Sequence, residues 1–259
     1  MKRRHFLQAS AAGGLAAAPA PAAAKNAIFE LRWFRLRNTH ANQVKRTSDF
    51  LASAVLPAAK RAGIGPVGFF SGAVAAGSPS ILMVASFPSL AAMETSREKL
   101  NADPEYQRAR EAFSSGRELN YMRMESSLLR GFDSMPVIEV PPTAGNRPPR
   151  VFELRIYESN NLSTLTRKIK MFDDAEIDLF RRCGLLPVFF GETIVGPNMP
   201  NLTYMVAFDD MSAREKAWQT FVAHPDWKKL SSMPEYADAE IVSNISNSIL
   251  RPLAFSPIR

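Results

Sequence analysis

Two short runs place a carboxylate two residues before a guanidinium: Glu30 and Arg32 in Phe29-Glu30-Leu31-Arg32, and Glu153 and Arg155 in Phe152-Glu153-Leu154-Arg155. Residues two apart on a strand share a face, so each pair projects together, opposite the Phe and Leu that alternate with it. A guanidinium and carboxylate held in a low-dielectric space can bind a carboxylate or orient a small acid or enol. The same pair can also serve as a structural salt bridge closing a barrel. Its presence in both halves favours the salt bridge, because only one copy would need a site. If helices cover the apolar side of the strands, these charges enter the barrel. Tyr157, Glu192 and Tyr204 fall on strands able to line the same cavity. Glu192 stands where the first half has Ser71, an asymmetry that suits a site confined to the second half, although a strand-end glutamate on the surface is the plainer reading.

Other chemistry is thinner. His40 and His224 are the histidines of the body of the chain, His5 being in the leader. Two isolated histidines do not build a His-rich metal site, so no metal is expected. A haem takes a single axial histidine, which keeps His224 and His40 as candidates. His224 precedes Pro225, and Asp103 precedes Pro104 at the matching place, so capping of a broken helix is the favoured role. Cys183 is the single cysteine, which excludes an intramolecular disulfide and a multi-cysteine zinc site. It lies in an apolar helical stretch, where a buried inert thiol is expected. Trp218 and Trp227, at helical spacing with Phe221, read as core. Glycine-rich phosphate loops, GxSxG and HExxH are missing from the sequence.

The elements that must position these residues come in two copies. Pro79-Ser80-Ile81-Leu82-Met83-Val84-Ala85-Ser86-Phe87 returns as Pro200-Asn201-Leu202-Thr203-Tyr204-Met205-Val206-Ala207-Phe208, and Leu129-Arg130 as Leu250-Arg251. The offset is 123 at the first strand and 121 from there on. A constant period of that length is a duplicated domain. In the second copy, alternation over 151–157 predicts a strand, apolar residues at helical spacing over 163–183 a helix ending at Gly184, and 187–195 and 202–208 two more strands. Ser212 to Glu215 has capping-box spacing and opens a helix that His224-Pro225 interrupts. Residues 239–250 supply a fourth strand. The first copy follows the same plan, with strands at 28–36, 68–75, 80–87 and 125–130 and helices at 43–62 and 90–100. The order is β-α-β-β-α-β, the split ferredoxin-like unit. The Pro-rich, aperiodic segment 133–149 reads as a linker, dividing a first, degenerate domain (26–132) from a second (150–259).

Phe152-Glu153-Leu154-Arg155-Ile156-Tyr157, Phe189-Phe190-Gly191-Glu192, Asn201-Leu202-Thr203-Tyr204-Met205-Val206, Arg214-Glu215-Lys216-Ala217-Trp218 and His224-Pro225-Asp226-Trp227-Lys228 resemble a NIPSNAP domain. The resemblance covers most of 150–251 and, more faintly, 27–130. It implies an α+β fold in which two tandem ferredoxin-like units pack as a dimeric α+β barrel, a fold shared with haem-degrading and quinone-forming monooxygenases and with chlorite dismutases. It brings no general catalytic motif.

Residues 1–24 (MKRRHFLQASAAGGLAAAPAPAAA) read as a signal peptide of the twin-arginine type, on Arg3-Arg4-His5-Phe6-Leu7 and a weakly apolar stretch that follows. The expected destination is the periplasm or another exported compartment, and the apolar stretch is too short to span a bilayer, so no membrane span is expected in the mature chain. The formal charge of +7 includes Lys2, Arg3 and Arg4, leaving about +4 spread over two domains without a basic run, which argues against nucleic acid. Three functions fit: binding of a small apolar, aromatic or acidic molecule in the barrel cavity; a cofactor-free or haem-dependent oxygenase or isomerase; and an oligomerising structural or interaction protein.

Overall fold

The computed structural model describes residues 26–38, 40, 42–142 and 148–259; the segment 1–24, read above as a signal peptide, lies outside them. Repeat one runs β1 (Ile28–Arg35), α1 (Gln43–Phe50), a π-helical turn (Leu51–Val55), α2 (Leu56–Ala62), β2 (Val67–Val74), β3 (Ser80–Phe87), α3 (Leu90–Ala102), α4 (Pro104–Ser114) and β4 (Arg123–Gly131). Repeat two runs β5 (Val151–Glu158), α5 (Leu162–Met171), a π-helical turn (Phe172–Glu176), α6 (Ile177–Arg182), β6 (Leu186–Val195) and β7 (Asn201–Phe208). It continues with α7 (Met211–Ala223), α8 (Pro225–Ser231), a 3-10 turn (Pro234–Tyr236), α9 (Asp238–Ile241) and β8 (Asn244–Pro252).

Each repeat pairs its strands antiparallel in the ferredoxin-like order, β4-β1-β3-β2 and β8-β5-β7-β6. An isolated unit of this kind exposes two sheet edges and one open face. Here β2 pairs with β8 and β4 with β6, so the two sheets close into one eight-stranded barrel without free edges. The duplication supplies within one chain the partner that a dimeric barrel takes from a second.

Both faces of the central strands β1, β3, β5 and β7 are largely buried. Phe29, Leu31, Phe70, Phe152, Leu154 and Phe189 point into the lumen and fill one end of it, with ring centroids 5.6 Å apart for Phe29–Phe189 and 4.9 Å for Phe70–Phe152. Glu30, Arg32, Glu153, Arg155 and Tyr157 point the other way, beneath the helices. The expectation that the charges enter the barrel is thereby reversed. Alternation tells which side chains share a face, but with both faces buried it does not tell which face the helices cover.

Four local expectations change. The helices at 43–62 and 163–183 each widen into a π turn, again 121 residues apart, where uninterrupted α-helix was expected. The cap of α7 is Asp210, whose Oδ1 accepts the Ala213 N–H at 2.7 Å, rather than Ser212. The fourth strand of repeat two starts at Asn244, because 238–241 form a helical turn that buries Ile241. The described part of the linker is packed rather than a loose spacer. Met135 and Ile138 are buried, the Ala27 N–H donates to the Pro136 carbonyl at 2.9 Å, and the Glu139 N–H to that of Val188 at 2.9 Å. Gly63 (φ 76°) and Gly184 (φ 87°) take the left-handed conformation that ends α2 and α6. Among the described residues no helix is long and apolar enough to cross a membrane.

Candidate functional site

The two Glu–Arg pairs are the centres of matched hydrogen-bond clusters between sheet and helices. Glu153 has no exposed surface and uses both carboxylate oxygens. Arg155 Nη1 (2.9 Å), Arg214 Nη2 (2.9 Å) and Asn247 Nδ2 (3.2 Å) donate to Oε1, and Arg214 Nε (2.7 Å) and Trp218 Nε1 (2.9 Å) to Oε2. Glu30 collects its donors on Oε1 alone: Arg32 Nη2 (2.6 Å) and Nε (3.2 Å), the Ser126 hydroxyl (2.6 Å) and Arg97 Nη2 (3.3 Å). Burial works against both carboxylate charges, but the guanidiniums and other donors outweigh it and hold both groups below the usual glutamate range. Neither is suited to act as a base near neutral pH. The arrangement is that of structural ion pairs.

Beside the Glu30 cluster the sheet and helices of repeat one part to leave a cavity of about 480 Å³. Arg32, Phe34 and Met83 form its sheet wall. Phe50, Leu51 and Val55 form its wall on α1 and the π turn, and Tyr106, Arg110 and Phe113 of α4 face them. The 116–121 loop closes the outer side, ending in Tyr121. Phe50 stacks on Phe113 at 4.1 Å between centroids, and Phe34 meets Tyr121 edge-on at 5.7 Å. The loop is tied to α1: Gln43 Nε2 donates to the Leu119 carbonyl (3.0 Å), Thr47 Oγ1 to the Asn120 carbonyl (2.9 Å) and Arg46 Nη2 to Asn120 Oδ1 (2.5 Å). A volume in the range of about 300–1,000 Å³, walled by aromatic and aliphatic side chains with polar groups among them, is the form of a small-molecule site.

In repeat two the matching space is full. Tyr157, Phe172, Glu176, Tyr204 and Trp227 stand where repeat one has Phe34, Leu51, Val55, Met83 and Tyr106, and Phe180 replaces Ala59. Lys168 occupies the middle. Its Nζ donates to Glu176 Oε2 at 3.2 Å and lies 4.8, 5.5 and 5.8 Å from the rings of Phe172, Tyr157 and Trp227. Tyr204 donates to the Tyr157 hydroxyl oxygen at 3.0 Å, and its burial pushes its own pKa well up. The Arg155 guanidinium packs 4.7 Å from the Trp218 ring. Burial opposes its charge, but Tyr204, Tyr157 and Glu153 outweigh it and raise the pKa.

Of the residues singled out from sequence, Glu153, Arg155, Tyr157 and Tyr204 thus come together, but in packed interior under the helices instead of in a barrel cavity. Glu30 and Arg32 form their counterpart, and Arg32 alone of the whole set lines the repeat-one cavity. Glu192 is half-buried, opposite Arg130 of β4 and Leu202 of β7. His224 Nδ1 accepts the Asp226 N–H at 3.1 Å as the cap of α8, and Asp103 Oδ1 caps α4 in the same way. His40 is exposed. Neither histidine lines the cavity, so these residues do not fit an axial haem ligand there. Cys183 is buried, and that burial raises its thiol pKa. The aromatic lining of repeat one escaped the sequence reading. The available signal was side-chain size at an offset of 121, in Leu51 against Phe172, Met83 against Tyr204 and Ala59 against Phe180.

A family model described as NIPSNAP matches residues 29–134 and 152–257, one match per repeat. No curated protein sequence matches the chain. Among solved structures, a protein from Fusobacterium nucleatum called a "putative monooxygenase" is similar with a TM-score of 0.58 at 8% identity, over 88% of this chain and 93% of that one. A Lactobacillus acidophilus protein given the same description aligns with a TM-score of 0.53 at 13% identity, over 88% of this chain and 94% of that one. A nipsnap family protein with unknown function from Agrobacterium tumefaciens aligns over 43% of this chain and 95% of its own, at 21% identity and a TM-score of 0.39. At these identities the two full-length likenesses establish the fold alone.

Proposed function

The chain belongs to the NIPSNAP family, and from that premise we propose that it binds a small aromatic molecule bearing an acidic group in the cavity of repeat one. The observation that carries this reading is the pairing of an aromatic-lined volume of about 480 Å³ with Arg32 on its sheet wall. Glu30 engages Nε and Nη2 of Arg32 and so fixes the guanidinium plane against the sheet. Phe34, Phe50, Tyr106 and Phe113 supply apolar ring surface, which attracts an aromatic ligand by burial and ring packing. Arg110 and Arg117 add further positive charge to the lining, and Glu118 a single negative one. The lining holds no histidine, cysteine or lysine, so it supports binding better than the oxygenase or isomerase reading.

The test is calorimetric titration with 2-naphthoate. The unaltered protein should bind it with one site per chain. Leu51→Phe combined with Met83→Tyr installs the repeat-two side chains and should abolish binding while the protein stays folded. Arg32→Gln should weaken it about tenfold. An unaltered protein that ignores aromatic acids, or a filled variant that still binds, refutes the proposal.

Export through the twin-arginine route is also a proposal, supported by Arg3-Arg4-His5-Phe6-Leu7. Arg3→Lys with Arg4→Lys should leave the precursor in the cytoplasm, and undiminished export would count against the route.

A further inference from the structure

The lumen of the barrel is packed at one end and hollow at the other. A cavity of about 260 Å³ opens between the β2–β3 and β6–β7 hairpins and shares no lining residue with the cavity of repeat one. Leu31, Leu129 and Leu154 form its apolar floor. Above them Trp33, Ser127, Thr193, Asn201, Thr203 and Ser248 line the wall.

The wall is polar but compensated in charge. Its Arg35 and Glu125 are paired, with Nη2 and Nε of Arg35 donating to Glu125 Oε2 at 2.8 and 3.0 Å. The Arg35 guanidinium also lies 4.5 Å from the Trp33 ring. Thr193 and Thr203 donate to Asn201 Oδ1 at 2.6 and 3.3 Å, and Asn201 Nδ2 donates to the carbonyls of Pro197 (3.0 Å) and Asn198 (2.9 Å). The threonine oxygens are therefore held in place with lone pairs left to accept. Ser127 and Ser248, equivalent positions on β4 and β8, make no side-chain hydrogen bond to another described residue.

We infer that the lumen mouth is a second binding site, for a small neutral polyhydroxylated molecule such as a polyol or a monosaccharide. An anion meets no uncompensated cation there. An apolar ligand would strip water from hydroxyls without replacing its hydrogen bonds, which disfavours it. A polyhydroxylated ligand offers donors to the threonines and both donors and acceptors to the serines, while its C–H face lies on Trp33 and the leucines. The volume lies below the range of about 300–1,000 Å³ typical of drug-sized ligands, which restricts the site to a small molecule. The competing occupant is water, at about 30 Å³ per molecule.

The test is calorimetric titration of the full chain with glycerol, myo-inositol and D-glucose, with benzoate as the anionic control. At least one neutral probe should bind saturably. Trp33→Ala should weaken that binding about tenfold and Ser248→Val about fivefold. Leu51→Phe with Met83→Tyr, which alters only the other cavity, should leave it unchanged. Ser248→Val removes one hydroxyl from a half-buried strand position, and keeps the inference testable if Trp33→Ala fails to fold. The inference is overturned if none of the three probes binds saturably, if benzoate competes, or if binding survives the lumen substitutions.

Discussion

Repeat one and repeat two share a strand order, a π turn at the same place in the first helix and a Glu–Arg cluster under the second, yet the space between sheet and helices is hollow in one and full in the other. The backbone plan is common, so the difference lies in a handful of side chains. Tyr204, Phe172 and Phe180 occupy volume that Met83, Leu51 and Ala59 leave vacant, and Lys168 with Glu176 replaces Thr47 and Val55. A shared barrel permits this division of labour. One copy packs its layer to completion and supports the closed sheet, while the other keeps an opening lined by Phe34, Phe50 and Tyr106.

The comparison breaks most readily at Lys168. Lys168→Met breaks the buried Lys168–Glu176 pair and should cost about 4 kcal/mol in urea unfolding. Converting both positions to the residues of repeat one, Lys168→Thr with Glu176→Val, should recover most of that loss. A single substitution as damaging as no substitution at all would mean that the pair is not buried as described.

Exchanging the next position in both directions sharpens the contrast. Tyr204→Met opens a void and removes the partner of the Tyr157 hydroxyl, for about 2 kcal/mol. The reverse change, Met83→Tyr, has a cavity beside it to receive the ring and should cost under about 1 kcal/mol, less than ordinary overpacking. Equal costs in the same unfolding experiment would argue that repeat one is as full as repeat two.

Acid separates the two carboxylate clusters more gently. Both Glu30 and Glu153 have folded pKa values below the ordinary value of 4.5, so each contributes stability that is fully present above that value and is lost as pH falls through the folded pKa. The urea midpoint should hold from neutrality to near pH 4.5 and fall below it. Glu153, with both oxygens engaged, should account for more of the fall than Glu30, so Glu153→Gln should flatten the acid limb more than Glu30→Gln. The smallest contrast is at the helix caps. Asp103 accepts two N–H groups and pairs with Arg61, whereas His224 accepts one, so Asp103→Ala should lower the unfolding midpoint more than His224→Ala.

Much of this architecture is legible in the sequence. The 121-residue offset and the alternation at 28–36 and 151–157 led to the duplicated ferredoxin-like units, and His224-Pro225 to a capped, broken helix. Which face of β5 carries the helices was not legible, because Phe152 and Glu153 are both buried and each would suit either side. The π turns carry no Gly, insertion or other mark at 51–55 or 172–176 that separates them from α-helix. The cavity escaped for another reason. Charge asymmetry at Ser71 and Glu192 pointed toward the second copy, whereas an opening is set by summed side-chain volume, and the size differences at Met83, Leu51 and Ala59 point to the first.

The most direct measurement is a crystal structure of the full chain grown with 2-naphthoate. Density for one naphthoate between Phe34, Phe50 and Tyr106, with its carboxylate toward Arg32 and the Tyr157–Lys168–Tyr204 region of repeat two unchanged, is the expected result. Naphthoate in repeat two or in the lumen, or an unoccupied repeat-one cavity at saturating ligand, would contradict the assignment of the site to repeat one.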